Sequence, residues 1–307
     1  MGTVERIISS LRRSGALILS NIWLLGWAFL YSFTGPVLLL GGTGLPVLYW
    51  WQKGRYFEPG LLFTDPAAFV LGHGQLILWS LAGSFVGFAI YIIVLLFYQG
   101  ALTGVVARGI VPGEQGAGKV DHMEFWSEGS ALFGHSMGTA TLASLLPLLP
   151  GLALLAFVSI LAFKVPDLVA GGLGFTSPVL IISVAGAVVT GLLTVLTGWL
   201  AFLWYQFALA AARVEGCAAG GALGRAWRFF TSRWTLVVVF VLAMILLGFL
   251  SWGVSAPFSM GGKFVRDWSA PLGMAMQIVG APLGAVLGIF MNLWLKCALV
   301  VLFIDNR

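Results

Sequence analysis

The sequence predicts an all-α, polytopic integral membrane protein: one domain, residues 1–307, with six transmembrane helices and amphipathic interfacial helices. Three observations carry this reading. Hydrophobic residues make up 60% of the chain and charged residues 9%, where a soluble domain has roughly 25% charged. So few charges cannot cover a soluble surface of 307 residues, so lipid must serve as part of the solvent. The apolar residues also gather in six runs, each meeting the roughly 20 residues that a helical span needs. Finally, 13 tryptophans and 41 glycines suit interfacial aromatic belts and close helix packing in lipid.

Taken in order, the chain opens with VERIISSLRRSG, in which Ile7, Ile8 and Leu11 alternate with Arg6, Arg12 and Arg13 at helical spacing. This reads as a helix lying on the membrane surface. The first span covers about residues 16–40. A loop over 41–66 follows, with an aromatic interfacial patch of Tyr49, Trp50, Trp51, Tyr56 and Phe57. The second span, about 76–102, continues as helix toward Arg108. Next come a polar loop and a second surface helix, MEFWSEGSALFG. The third span, about 138–163, contains Pro147 and Pro150, and a short turn leads to the fourth, about 178–211. The polar EGCAAGGALG and the amphipathic, basic RAWRFFTSRW precede the fifth span, about 235–254. A loop then leads to the sixth, about 274–303. The first apolar run is long and no small-x-small site follows it, so no cleaved signal peptide is expected.

Orientation follows from the basic residues. With the N-terminus inside, eleven of the 16 Lys and Arg fall inside: Arg6, Arg12, Arg13, Arg108, Lys119, Arg213, Arg225, Arg228, Arg233, Lys296 and Arg307. Lys53, Arg55, Lys164, Lys263 and Arg266 fall outside. The bias predicts a multi-pass protein of the cell membrane with both termini cytoplasmic. Lys296 stands near the cytoplasmic end, where a lysine snorkels. Cys217 and Cys297 fall at cytoplasmic ends and are expected as free thiols. No concentrated basic face exists, which excludes nucleic acid.

Phrases recur. Each odd span follows an amphipathic segment (5–13, 124–133 and 225–234), and the even spans end in YQGAL at Tyr98, YQFAL at Tyr205 and LKCAL at Leu295. A polar side chain stands two residues before Ala-Leu each time. Two readings stand: coincidence in an Ala/Leu-rich chain, or three pseudo-repeated helical hairpins, each with a surface helix. Mitochondrial carriers also have three hairpins, but their Pro-x-acidic-x-x-basic motif is missing from all three odd spans. YQGALTGVVARGIVPGE, DHMEFWSEGSALFG and AARVEGCAAGGALGRAWRFF, with Gly100, Arg108, Gly113, Glu114, Glu124, Trp126, Glu215 and Gly216, resemble an uncharacterised six-span family of bacteria and archaea. That family is similar to the membrane domain fused to some glycerophosphodiester phosphodiesterases. The resemblance spans about half of the chain. It implies a six-span membrane domain and brings no agreed catalytic residues.

Two motifs imitate chemistry. GEQGAGKV, 113–120, matches the phosphate-cradling loop until Val120, where Ser or Thr should hold magnesium. GHSMG, 134–138, matches the hydrolase nucleophile elbow, but His73, His122 and His135 all precede Ser136, whereas that fold places its histidine downstream. The histidines are scattered and neither cysteine has a partner at ligand spacing, so no metal or cofactor is expected. Gly-x-x-x-Gly spacings at Gly83/Gly87, Gly100/Gly104 and Gly280/Gly284/Gly288 are the candidate helix-packing faces. Thr190, Thr194 and Thr197 share one helical face. They read either as a candidate polar path or as hydroxyls bonded back to their helix.

Ion-coupled transport usually needs charged groups at mid-membrane, and the centres of the six spans have none. The first functional expectation is therefore a scaffold or accessory subunit that meets lipids, a partner membrane protein or a second copy of itself. The alternative is an uncoupled transporter or channel for a small apolar, zwitterionic or lipid-like solute.

Overall fold

The computed structural model describes residues 2–53, 66–110, 118–170 and 178–307. Among them are eight helices and no strand: α1 (Thr3–Ser20), α2 (Trp23–Gln52), α3 (Pro66–Gly109), α4 (His122–Ala170), α5 (Pro178–Glu215), α6 (Ala219–Ser232), α7 (Trp234–Trp268) and α8 (Ala270–Asn306). Six of these, α2, α3, α4, α5, α7 and α8, are long and apolar enough to cross a membrane. Hence the chain is a multi-pass, all-α membrane protein.

The two short helices are amphipathic. α1 buries Ile7, Ser14, Leu17 and Ile18, and α6 buries Ala222, Leu223, Ala226 and Phe229; both sets follow helical spacing. The second amphipathic stretch is not a separate helix. It continues without a break into the third span, making α4 a 49-residue helix, about 70 Å long and more than twice the thickness of the hydrocarbon core. The difference lies in the junctions. After α1, Asn21 leaves helical geometry and its side-chain amide donates to the Leu17 carbonyl at 3.0 Å. After α6, Arg233 also leaves helical geometry, with φ −122° and ψ 29°. At the matching place in α4, Ser136 instead bonds across to α3, donating to the Leu96 carbonyl at 2.9 Å, and the helix runs on.

The loop expected over 41–66 is also corrected. α2 continues to Gln52 through Gly42, Gly44 and Pro46, so Tyr49, Trp50 and Trp51 sit on the helix. Tyr56 and Phe57 lie outside the described residues. The glycines do not break the helix because α3 covers it there: a Cβ at Gly83 would collide with the Gly42 carbonyl, and one at Gly87 with the Leu38 carbonyl. Gly216, at φ +63°, is a true helix stop. Its N–H bonds to Ala212 O at 3.0 Å and ends α5 in the left-handed turn that glycine favours.

The spans pair as three hairpins, α2/α3, α4/α5 and α7/α8, and α3, α5 and α8 touch one another. Each of these three helices also carries a surface segment of the next unit: α3 carries the start of α4, α5 carries α6, and α8 carries α1. The last pairing closes a ring. The anchor is the same each time, an aromatic side chain two residues before the polar residue of the recurring phrase. Phe97 covers Gly129; Trp204 Nε1 donates to Leu223 O at 2.9 Å; Trp294 Nε1 donates to Leu11 O at 2.8 Å.

Burial concentrates at the end of the bundle where this ring forms. Ala101, Val105 and Val106 of α3, Phe207 to Ala211 of α5, and Cys297, Leu299 and Leu302 of α8 are essentially inaccessible. Small residues let the three helices approach closely. Both termini lie here, since Arg13 pairs with Asp305 at 2.5 Å and Arg6 donates to Asn306 Oδ1 at 3.1 Å. Arg108 and Arg213 converge on one buried carboxylate, Glu128, at 2.5 and 2.7 Å, tying α3 and α5 to α4. Toward the other end, outward side chains such as Leu71, Phe85, Leu149 and Ile278 are largely exposed, which in water would be untenable and in lipid is ordinary.

Candidate functional site: a central cavity

Below the ring, α3, α5 and α8 no longer fill the axis. Leu95, Leu96 and Gln99 of α3, Gly198, Phe202 and Tyr205 of α5, and Gly288, Asn292 and Lys296 of α8 face inward and line a cavity of about 830 Å³. Tyr31 of α2, Ala143, Ser144 and Pro147 of α4, and Met244 and Ser251 of α7 complete it, so all six spans contribute. The walls are mainly apolar. Its volume lies within the roughly 300–1,000 Å³ of pockets that enclose small molecules.

Gln99 and Lys296 line the cavity at the end nearer the ring. Gln99, Gln206 and Lys296 occupy the same place in the three recurring phrases. Gln206 Nε2 donates to Gln99 Oε1 at 3.0 Å, and both glutamines are buried. Lys296 has no glutamine to pair with. Its ammonium lies 5.5 Å from the centre of the Tyr31 ring and 5.7 Å from that of Tyr98. Tyr31 and Tyr98 stack at 4.3 Å with planes 1° apart. Tyr31 also shares a hydrogen bond with Tyr91 at 2.9 Å. Tyr205 donates to Ser136 Oγ at 2.6 Å, because the single Ser136 proton is given to Leu96 O.

Lys296 therefore does not snorkel outward. α8 runs on to Asn306, which places position 296 roughly 15 Å short of the helix end and turns it toward the axis. Gln99 and Lys296 at the cavity, and the Gln206 that bonds to Gln99, were legible only as a pattern: one polar side chain at the same place in each even span. Read one helix at a time, each looks like a residue leaving the membrane.

The expected packing faces separate. Gly83 and Gly87 form the α2/α3 contact described above, and Gly100 and Gly104 serve α3/α4, where a Cβ at Gly104 would collide with Glu128 and one at Gly100 would lie 3.2 Å from Leu132 Cβ. In α8, Gly280 is buried and Gly284 partly buried. Gly288 does not pack against a helix: a Cβ there would meet nothing within 4 Å, because α8 faces the cavity at this level. Thr190, Thr194 and Thr197 each donate to a carbonyl of their own helix, Gly186, Thr190 and Leu193, at 2.6–2.7 Å. Thr194 also abuts α4, where a Cβ at Gly151 would lie 3.9 Å from its methyl. None of the three is among the described residues that line the cavity.

The two motifs that imitate chemistry also find places. Ser136 is fully buried in the interior of a helix, with no strand-to-helix elbow. Residues 111–117 of the glycine-rich loop lie outside the described residues; its end is pinned by Asn21, which accepts from Val120 N at 2.8 Å and donates to Gly118 O at 3.1 Å. Cys217 and Cys297 are free. Among the described residues no group of three or more metal-binding side chains occurs. The chain matches no protein-family model, no curated protein and no solved structure.

Proposed function

We propose that the protein binds a lipid-like, amphiphilic molecule in the central cavity and serves as an uncoupled carrier or binding protein for it within the membrane. One observation supports this above others. A cavity formed by all six spans has mainly apolar walls, with Gln99, Asn292 and Lys296 among its lining residues, a combination that an amphiphile matches. The scaffold reading drew on glycine faces, surface helices and the lack of charges at mid-membrane; of the glycines, Gly83 and Gly87 are occupied inside the chain by Gly42 and Leu38.

The same reading places the protein in the cell membrane with both termini cytoplasmic. Arg6, Arg12, Arg13, Arg108, Arg213, Arg225, Arg228 and Arg233 gather at the ring end, as the inward bias of basic residues requires.

The cavity is tested by filling it. Gly288→Leu places a side chain in open space. The purified protein should carry co-extracted lipid detectable by mass spectrometry, and Gly288→Leu should carry several-fold less at unchanged folding. Equal lipid in both would remove the cavity as the binding site.

A further inference from the structure

We infer that the cavity, at its end nearer the ring, recognises an anionic headgroup, with Lys296 as its counter-ion. The threefold arrangement shows why this residue is exceptional. At the equivalent position the other two units carry Gln99 and Gln206, which share a hydrogen bond. The third unit carries a cation, and none of the described residues that line the cavity is a carboxylate.

The neighbouring groups are donors too. Asn292 lies one turn before Lys296 on the same face of α8, and Gln99 of α3 lines the same cavity. Gln99 Oε1 is used by Gln206, which leaves its amide N–H groups for the cavity. The cavity thus offers an ammonium and two amides with no acidic acceptor among them. Contacts with the tyrosine faces offset only part of what a partly buried cation loses on leaving water. An anion held between Lys296, Gln99 and Asn292 would supply the missing compensation. The cavity volume admits a headgroup with the first part of its chains. The chemistry required is a phosphate or carboxylate carrying a net negative charge, on an apolar tail.

The inference rests on the cavity being a ligand site, and the two can fail separately. Full-length protein is stripped of lipid in neutral detergent. It is then offered dioleoyl phosphatidic acid, dioleoyl phosphatidylcholine or inorganic phosphate alone, with binding read by native mass spectrometry. Wild type should prefer the acidic lipid to the zwitterionic one by at least tenfold. Lys296→Met should bring that preference close to parity while binding of the zwitterionic lipid stays within about threefold. Lys296→Arg should keep the preference. The ratio between lipids is the readout because a general loss of folding would lower both together. An unchanged preference in Lys296→Met would overturn the headgroup assignment and leave the cavity reading intact. Inorganic phosphate binding as strongly as the acidic lipid would overturn the amphiphile in favour of a soluble anion. Gly288→Leu retaining full binding of both lipids would overturn the cavity itself, and the headgroup assignment with it.

Discussion

Ser136 shows how a residue's meaning depends on what its helix faces. In sequence it sits in a hydrolase motif; in the fold it is fully buried and bridges Leu96 O and the Tyr205 hydroxyl, two residues that line the cavity. Alanine there would leave the Tyr205 hydroxyl and the Leu96 carbonyl without this partner, a loss worth about 1–3 kcal/mol for buried groups. Ser136→Ala should therefore lower the thermal stability of the detergent-solubilised protein, and wild type should not react with a serine-directed fluorophosphonate probe. Probe labelling lost on substitution would instead establish a nucleophile. The sequence exposed the failure of the motif, since no histidine follows Ser136, but not the positive role. That role needs α3 and α5, whose contacting residues lie 40 and 69 positions away. Glu128 is a similar case. A carboxylate in an amphipathic segment reads as a solvated face until Arg108 and Arg213 are seen to close over it.

Among the elements, hydrophobic runs identified all six spans, because lipid forces long apolar helices on any chain that crosses it. Where the helices begin and end was less legible. Gly42, Gly44 and Pro46 look like loop residues, yet α2 passes through them because α3 packs against its backbone. α4 hides its surface segment inside a continuous helix because nothing at 134–137 competes with the backbone as Asn21 does. Glycine spacing had the same ambiguity: it marks where a backbone is bare and leaves open whether a helix or a cavity faces it. The distinction can be measured. Leucine at Gly83 or Gly87 must displace the backbone of α2, and overpacking typically costs about 1–3 kcal/mol. Gly83→Leu and Gly87→Leu should lower the melting temperature of the solubilised protein, whereas Gly288→Leu should leave it near wild type. A large loss at Gly288 would show that a helix covers this face.

For the whole molecule, the decisive feature is that the ring closes between the first and last helices. Trp294 and Asp305 of α8 hold Leu11 and Arg13 of α1, so the two termini must lie on the same side, which demands an even number of crossings. Six spans meet that demand. Which side is predicted by charge. Lys53, Lys263 and Arg266 are described at the far end, against a larger basic set around the ring, and translocation disfavours the more basic side. The buried arginine–carboxylate pairs do not weaken this argument, since the rule counts basic residues and acidic ones contribute little to it. Reporter fusions at Gly2 and Arg307 should both give the cytoplasmic signal, and a cysteine placed at Lys53 in a background lacking Cys217 and Cys297 should label from outside intact cells. A split result for the two termini would contradict the closed ring itself. Both termini reporting outside would keep the ring but invert the protein, and would place the Lys296 end of the cavity nearer the outer leaflet.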